Sequence, residues 1–134
     1  MPVVKQSLYP FAETASRLAN AIRDAGNTVF ATIDQAAAAE TASLTLRPTT
    51  LIVFGNPKAG TALMQAFPLV ALELPVKLLV WQDGDAVNVA YAPMSEVAAR
   101  YGIMGMEPVI HAIDVNLAAL TDLVASPPAA RTGG

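Results

Sequence analysis

The chain has 134 residues, of which 54% are hydrophobic and 14% charged, a composition that favours a single domain with one apolar core. The sequence has no cysteine, which excludes disulfides, thiolate metal sites and cysteine nucleophiles, and its net charge of -3, with eight scattered basic residues, provides no cationic stripe for nucleic acid. It lacks both the run of about 18 apolar residues that a membrane span needs and the features of a secretory signal, so we expect a cytoplasmic protein without membrane or nucleic-acid partners.

The first part of the sequence predicts a short strand and an amphipathic helix. After an apolar start at Val3 and Val4, apolar residues recur between residues 11 and 25 at the spacing of one helix face. Gly26 and Asn27 end this helix, because both residue types tolerate the left-handed backbone conformation of a helix C-cap.

Two strands and a second helix are predicted next. Residues 28–33 are rich in β-branched and aromatic side chains, which favours a strand. Asp34 follows at once, and its carboxylate is placed to cap the alanine-rich helix predicted for residues 35–43. Pro48 interrupts the helical pattern, and a further strand is predicted for residues 50–54.

A β-hairpin gives the strongest local signal in the second half of the sequence. Residues 76–81 and 86–91 both favour strands, and they flank Asp83 and Gly84, a dipeptide typical of tight hairpin turns. The two strands are therefore predicted to pair in an antiparallel manner.

The C-terminal part predicts two more helices. One covers residues 94–101 and ends at Gly102. The other begins at Pro108 and keeps amphipathic spacing as far as Val124. Residues 126–134 lack the apolar content to pack, so a disordered tail is predicted there.

This order of elements predicts one α+β domain over residues 1–125, with a largely antiparallel sheet and helices packed on one face. Because the chain has few charged and many apolar residues, we expect some apolar surface to remain outside the core. A symmetric dimer is the commonest way to bury such surface, so we expect a homodimer.

The candidate site follows the strand at residues 50–54. The sequence of residues 55–61 is Gly-Asn-Pro-Lys-Ala-Gly-Thr, which predicts a turn and then a helix that begins at Thr61 and ends near Phe67. The first N–H groups of a helix have no internal partner, and the helix dipole favours negative charge there, so we expect a small anionic or polar ligand. The expected ligand-binding residues are Gly55, Asn56, Lys58, Gly60, Thr61, Met64 and Asp34.

Two other interpretations of this loop compete with ligand binding. Gly55 and Gly60 have the spacing of a nucleotide-binding P-loop, but Thr61 stands where that motif needs a lysine, so nucleotide hydrolysis is not expected. The second interpretation is purely structural: the loop makes a tight turn and Thr61 caps a helix. That alternative stays open.

An enzyme is the second functional hypothesis. Lys58 would act as an amine nucleophile or anion ligand, with Asp34 and Asn56 in the same cleft, so the three side chains would have to converge. His111 is the only histidine, and the carboxylates lack the spacing of a calcium loop, so neither a metal nor another cofactor is expected.

Several segments of the sequence together resemble one known family. They are residues 54–58, 60–61, 63–64, 74–81 and 101–102, with Thr14, Leu18, Val29, Phe30, Ile33, Asp34, Pro48 and Thr49. These residues resemble the bacterial and archaeal family catalogued as domain of unknown function 302, over about residues 10–105.

The resemblance implies a fold similar to one half of the TATA-binding-protein architecture, a curved antiparallel sheet backed by helices, and it implies a dimer. The basic and intercalating groove surface that this architecture uses on DNA has no counterpart in the acidic composition of this chain. The leading hypothesis is therefore a non-catalytic homodimer of unknown function that binds a small molecule or another protein near residues 55–64.

Overall fold

The computed structural model describes residues 1–125, which form five strands, five α-helices and a short 3-10 helix. The strands are β1 (Val3–Gln6), β2 (Thr28–Asp34), β3 (Thr49–Gly55), β4 (Val76–Asp83) and β5 (Ala86–Tyr91). The helices are α1 (Phe11–Asp24), α2 (Gln35–Thr41), α3 (Pro57–Ala66), α4 (Met94–Arg100) and α5 (Glu107–Asp122), and the 3-10 helix is Pro68–Leu72. The tail predicted for residues 126–134 lies outside the described residues.

The five strands form one sheet in the order β1-β5-β4-β3-β2, and every neighbouring pair is antiparallel. The predicted α+β fold is confirmed. The predicted hairpin is β4 and β5, whose ladder ends at the pair Asp83 and Ala86. Gly84 begins the connecting loop with a φ of 60°, a conformation that favours glycine.

The main apolar core lies where α1 and α5 pack on the sheet. Alternate residues of β3, β4 and β5 supply buried side chains, as expected for strands with one face against helices. The largest fully buried members of this core are Phe54, Leu18, Ile22, Ile52, Leu78 and Leu117. Each such side chain contributes about 1.5–3 kcal/mol relative to exposure.

A second apolar cluster joins α3, the 3-10 helix, α4 and the start of α5. Its buried members are Leu63, Val70, Met94, Val97, Ala98, Ile103 and Ile110. Because this cluster contains residues of both α3 and α5, it fixes the position of one helix relative to the other. No helix within residues 1–125 has the length and apolar character needed to cross a membrane.

Two helix boundaries follow the sequence signals closely. Gly26 has a φ of 85° after α1, and the N–H of Asn27 donates to the carbonyl of Ile22 at 3.1 Å, which completes the helix end. The Asp34 carboxylate accepts a hydrogen bond from the N–H of Ala37 at 2.9 Å, so Asp34 is the N-cap of α2, as predicted.

The start of α4 is capped by a residue from another helix. Pro93 precedes α4 and has no side-chain acceptor, and the carboxylate of Asp114 in α5 accepts from the N–H groups of Met94 and Ser95, at 2.5 and 3.1 Å. These two hydrogen bonds satisfy N–H groups that have no partner inside α4. Asp114 therefore ties the two helices together.

Asp114→Ala is expected to lower the free energy of unfolding by about 1–2 kcal/mol, because the substitution removes the acceptor of both N–H groups. Urea denaturation followed by far-UV circular dichroism measures the change. Asp85→Ala removes an exposed carboxylate of the hairpin loop and should change stability by less than about 0.5 kcal/mol. Equal stability of the two variants would contradict the capping role of Asp114.

Candidate functional site

The junction between β3 and α3 differs from the predicted one. The helix begins at Pro57, not at Thr61, because Asn56 is its N-cap and proline suits the first helical position. Gly55 belongs to β3, so the strand leads into the helix through a single capping residue. Thr61 lies within the helix and has no capping role.

The expected anion site is not supported by the hydrogen bonds at the start of α3. Pro57 has no N–H, the N–H of Lys58 donates to Asn56 Oδ1 at 3.0 Å, and the N–H of Gly60 donates to the carbonyl of Asn56 at 3.1 Å. Three of the first four helical positions therefore offer no free backbone donor. The prediction of a donor-rich turn was wrong, because Asn56 and Pro57 complete the helix start by themselves.

The same junction nevertheless forms one wall of a cavity of about 460 Å³. The cavity lies between the end of α1, the starts of β2 and β4, the end of β3, α3 and the middle of α5. Its apolar lining comes mainly from Phe30, Phe54, Met64, Leu74, Pro75, Val76, Ala112, Ile113 and Leu117. Its volume is in the range of small-molecule binding sites.

Polar side chains in the cavity wall are all uncharged. Asn27, Asn56, Thr61 and Asn116 line the cavity, and no Asp, Glu, Lys, Arg or His side chain within residues 1–125 does so. Asn27 Nδ2 donates to the carbonyl of Ile22 at 3.3 Å, and Asn56 uses Oδ1 as a cap. Asn116 and Thr61 make no side-chain hydrogen bond to another described residue, so their polar atoms are available to a guest.

An irregularity in β2 places an aromatic ring at the cavity. The pairing of β2 with β3 shifts register between Val29 and Ala31, which leaves Phe30 as the extra residue of a β-bulge. A Cβ added to Gly55 would lie 3.9 Å from the Phe30 ring and 3.8 Å from Pro75. Gly55 thus leaves open space between two apolar lining residues.

The predicted site residues do not all meet. Gly55, Asn56, Gly60, Thr61 and Met64 line the cavity together, whereas Lys58 and Asp34 do not. Asp34 lies at the opposite end of β2 from Thr28, which pairs with Gly55, and six residues of strand span about 20 Å. The cleft of Lys58, Asp34 and Asn56 that the enzyme hypothesis required is therefore not present.

Four lining residues that matter for chemistry or shape were not predicted to belong to the site: Asn27, Phe30, Ala112 and Asn116. The sequence indicates Asn27 only as the end of α1, and Phe30 as part of a strand and of the family resemblance. Ala112 and Asn116 lie on α5, more than 50 residues after the predicted loop. Only the packing of α5 against α3 brings them to it.

The groups with shifted pKa values lie outside the cavity lining. Burial raises the pKa of Tyr91, and burial together with a 3.0 Å hydrogen bond to Glu73 raises the pKa of Tyr101. His111 is exposed at the start of α5, and residues 1–125 contain no group of three or more His, Asp or Glu side chains that could hold a metal ion. The described lining of the cavity therefore contains no acid–base pair.

Gly60→Ala is expected to stabilise the protein by up to about 1 kcal/mol, because alanine favours the helix over glycine and the new Cβ would be 3.8 Å from Met64 Cε, an ordinary contact. The melting temperature should rise by about 3–5 °C. Gly26→Ala is the matched control with the opposite sign, since the φ of 85° at Gly26 strains any other residue. A lower melting temperature for Gly60→Ala would contradict the described space.

The fold and the cavity define a small α+β domain with one uncharged candidate site. The sequence matches the family described as Domain of unknown function DUF302 over residues 3–124. The chain belongs to this family, in agreement with the resemblance seen in its sequence.

A solved structure supports the same assignment of fold. The crystal structure of an uncharacterized conserved DUF302 protein from Bacillus stearothermophilus is similar to this chain with a TM-score of 0.84 and 19% sequence identity. The similarity covers 90% of this chain and 95% of that one. It extends the shared architecture to almost the whole domain.

Curated relatives carry the name of an ion channel. The chain is 44% identical over 83 residues to "Fluoride-specific ion channel FluC 1" of Brucella suis and to the protein of that name from Brucella abortus. These 83 residues are 62% of this chain, but only 33% and 31% of the two relatives. The chain therefore spans about a third of the length of the curated relatives that it matches.

Proposed function

We propose that this domain binds a small uncharged molecule in the cavity between α3 and α5, and that it works as a homodimer. The ligand has an apolar body and a polar group that both donates and accepts hydrogen bonds, such as a carboxamide or a hydroxyl. The observation that carries this proposal is the side chain of Asn116, which lines an otherwise largely apolar cavity without a hydrogen-bond partner within residues 1–125.

The absence of charged residues from the described lining argues for a neutral ligand. An anion would lose its hydration in an apolar cavity and gain no cation in return, because Lys58 is exposed and lies outside the lining. A neutral amide loses less hydration and can exchange hydrogen bonds with asparagine side chains. The proposal therefore replaces the anionic ligand of the sequence analysis with an uncharged one.

The proposed ligand class is tested with a pair of probes of equal shape and different charge. Isothermal titration and thermal-shift measurements with 2-naphthamide and 2-naphthoate should show binding of the amide and weaker or no binding of the carboxylate. Stronger binding of the carboxylate would contradict the neutral cavity. Binding of neither probe, and of no uncharged compound in a wider panel, would contradict ligand binding.

Asn116→Leu is expected to weaken binding of 2-naphthamide by about twofold to tenfold, the effect of losing one neutral hydrogen bond of about 0.5–1.5 kcal/mol. Leucine keeps the size of the side chain and removes only its polar atoms. Titration calorimetry gives the affinity, and the melting temperature of the free variant shows that it is folded. The matched control is Asn88→Leu, which changes a half-buried asparagine of β5 that does not line the cavity, and unchanged affinity is expected.

A second candidate role is suggested by the curated relatives. We propose that a domain of this kind acts as an accessory part of a fluoride channel, supported by the 44% identity to a segment of proteins that carry that name. Fluoride efflux from liposomes that hold the Brucella suis protein should change when its 83 matched residues are deleted. Unchanged efflux at equal protein content would contradict this role.

A further inference from the structure

One edge of the sheet is open in the described part of the chain. β2 is the last strand in the sheet order and pairs only with β3 among residues 1–125. Six of its seven residues are exposed and Val29 is half-buried, whereas every second residue of the neighbouring β3 is buried. The N–H and carbonyl groups along its outer edge are thus accessible to another strand.

The side chains of β2 do little to prevent such pairing. Apolar and β-branched residues predominate in the sequence Thr-Val-Phe-Ala-Thr-Ile-Asp, and its only charge is Asp34 at the end. Phe30 is 53% exposed and Ile33 is 39% exposed. Proteins usually protect an edge strand with charged residues, proline or a very short strand, and β2 has only its bulge.

The opposite edge of the sheet is protected in the usual way. β1 has only four residues. Its Lys5 forms an ion pair with Asp122 at 2.8 Å and a hydrogen bond to Thr121 Oγ1 at 2.7 Å, and Ser7 in the next segment forms an isolated antiparallel bridge with Ala125, which follows α5. The contrast between the two edges indicates that β2, and not β1, is the edge that receives a partner.

We propose that β2 pairs with β2 of a second copy of this chain, antiparallel and about a two-fold axis at Thr32, so that the two sheets become continuous. In this register Thr32 lies opposite the same residue of the second copy, a favourable cross-strand pair, and Ala31 lies opposite Ile33. Asp34 lies opposite Phe30, so the two carboxylates do not meet. The segment after the bulge, from Ala31 to Asp34, keeps a regular ladder with β3 and supplies the central pairs of this register.

The size of this contact indicates how strong the dimer is. A seven-residue strand is about 24 Å long and a sheet is about 10 Å thick, so the edge itself offers only about 240 Å² per copy. Stable interfaces bury about 800 Å² per partner. We therefore expect a reversible dimer whose population rises with protein concentration.

The interaction surface also touches the proposed ligand site. Phe30 belongs to β2 and lines the cavity, so each copy carries one cavity beside the paired strands. Dimerisation can nevertheless be measured without a ligand. The pairing of β2 rests on the homodimer of the proposed function, and the lysine and cysteine variants below distinguish a dimer through another surface from the absence of any dimer.

Sedimentation equilibrium over a concentration series tests the dimer. The mass of the wild-type protein should rise from 13.9 kDa toward twice that value. Ile33→Lys places a charge in the paired edge and should weaken dimerisation by about tenfold or more. Leu72→Lys changes a 75% exposed residue of the 3-10 helix and should leave dimerisation unchanged.

A cysteine variant tests the register independently of folding changes. The sequence contains no cysteine, so Thr32→Cys introduces a single thiol at the proposed axis, where opposite residues are close enough for a disulfide. Oxidation should give a covalent dimer of Thr32→Cys and little of Gln6→Cys, which lies on β1. A constant mass of 13.9 kDa for the wild type, equal effects of the two lysine variants, or preferential crosslinking of Gln6→Cys would overturn the proposal.

Discussion

Phe54→Ala is expected to lower the free energy of unfolding by about 3–5 kcal/mol. Phe54 is fully buried in β3 and belongs to the main core between the sheet and the helices. Its ring also forms the inner wall of the candidate site, so alanine would enlarge the cavity from within. A domain of this size is typically stable by about 5–15 kcal/mol, so this single change removes a large part of the total.

Phe30→Ala is the matched control for this prediction. Phe30 lines the same cavity from the bulge of β2, but it is 53% exposed, so its removal should lower stability by less than about 1 kcal/mol. Guanidinium denaturation of both variants, followed by far-UV circular dichroism, measures the difference. A similar loss of stability in the two variants would contradict the described burial of Phe54.

Ala112→Phe is expected to weaken binding of 2-naphthamide roughly 30- to 150-fold, because an added ring in a confined site adds about 2–3 kcal/mol of steric conflict with the guest. Ala112 is an exposed residue of α5 that lines the cavity, so the new side chain would occupy the entrance without entering the core. Titration calorimetry with this amide measures the loss.

Ala119→Phe provides the control for Ala112→Phe. Ala119 is also exposed on α5, two helical turns further along, and does not line the cavity. This variant should bind the amide as the wild type does, and both variants should unfold at similar denaturant concentrations. Equal affinity of the two variants would contradict the location of the site, even if the wild-type protein binds the amide.

Membership of the DUF302 family explains the architecture of this chain. It does not indicate a ligand, so any ligand has to be inferred from the chemistry of the site. The ligand class predicted from the sequence differs from the one that fits the lining of the cavity in the structure. Lys58 and the Gly-Asn-Pro turn favoured an anion in the sequence, whereas the cavity lining is apolar with asparagine and threonine as its polar members. Under the proposed function, a ligand screen needs uncharged amides and alcohols as well as phosphates.

Local signals were sufficient to predict most elements of the fold. The hairpin of β4 and β5, the glycine that ends α1 and the Asp34 cap of α2 each depend on a few neighbouring residues, and all three are confirmed. The start of α3 is also present in the sequence as Asn56 followed by Pro57, although the sequence pattern predicts a turn at these residues. For this reason an anion site was predicted at a place where Asn56 and Pro57 complete the start of a helix.

The sequence by itself thus determined the α+β class, the antiparallel sheet and the presence of a strand-to-helix junction after β3, because strand alternation, helix spacing and capping act over a few residues. Only the tertiary structure decided what that junction faces. The packing of α5 against α3 brings Asn116 and Ala112 to Gly60, and the bulge in β2 brings Phe30 there. Contacts between residues so far apart along the chain depend on how whole helices and strands pack, and no short sequence pattern encodes them.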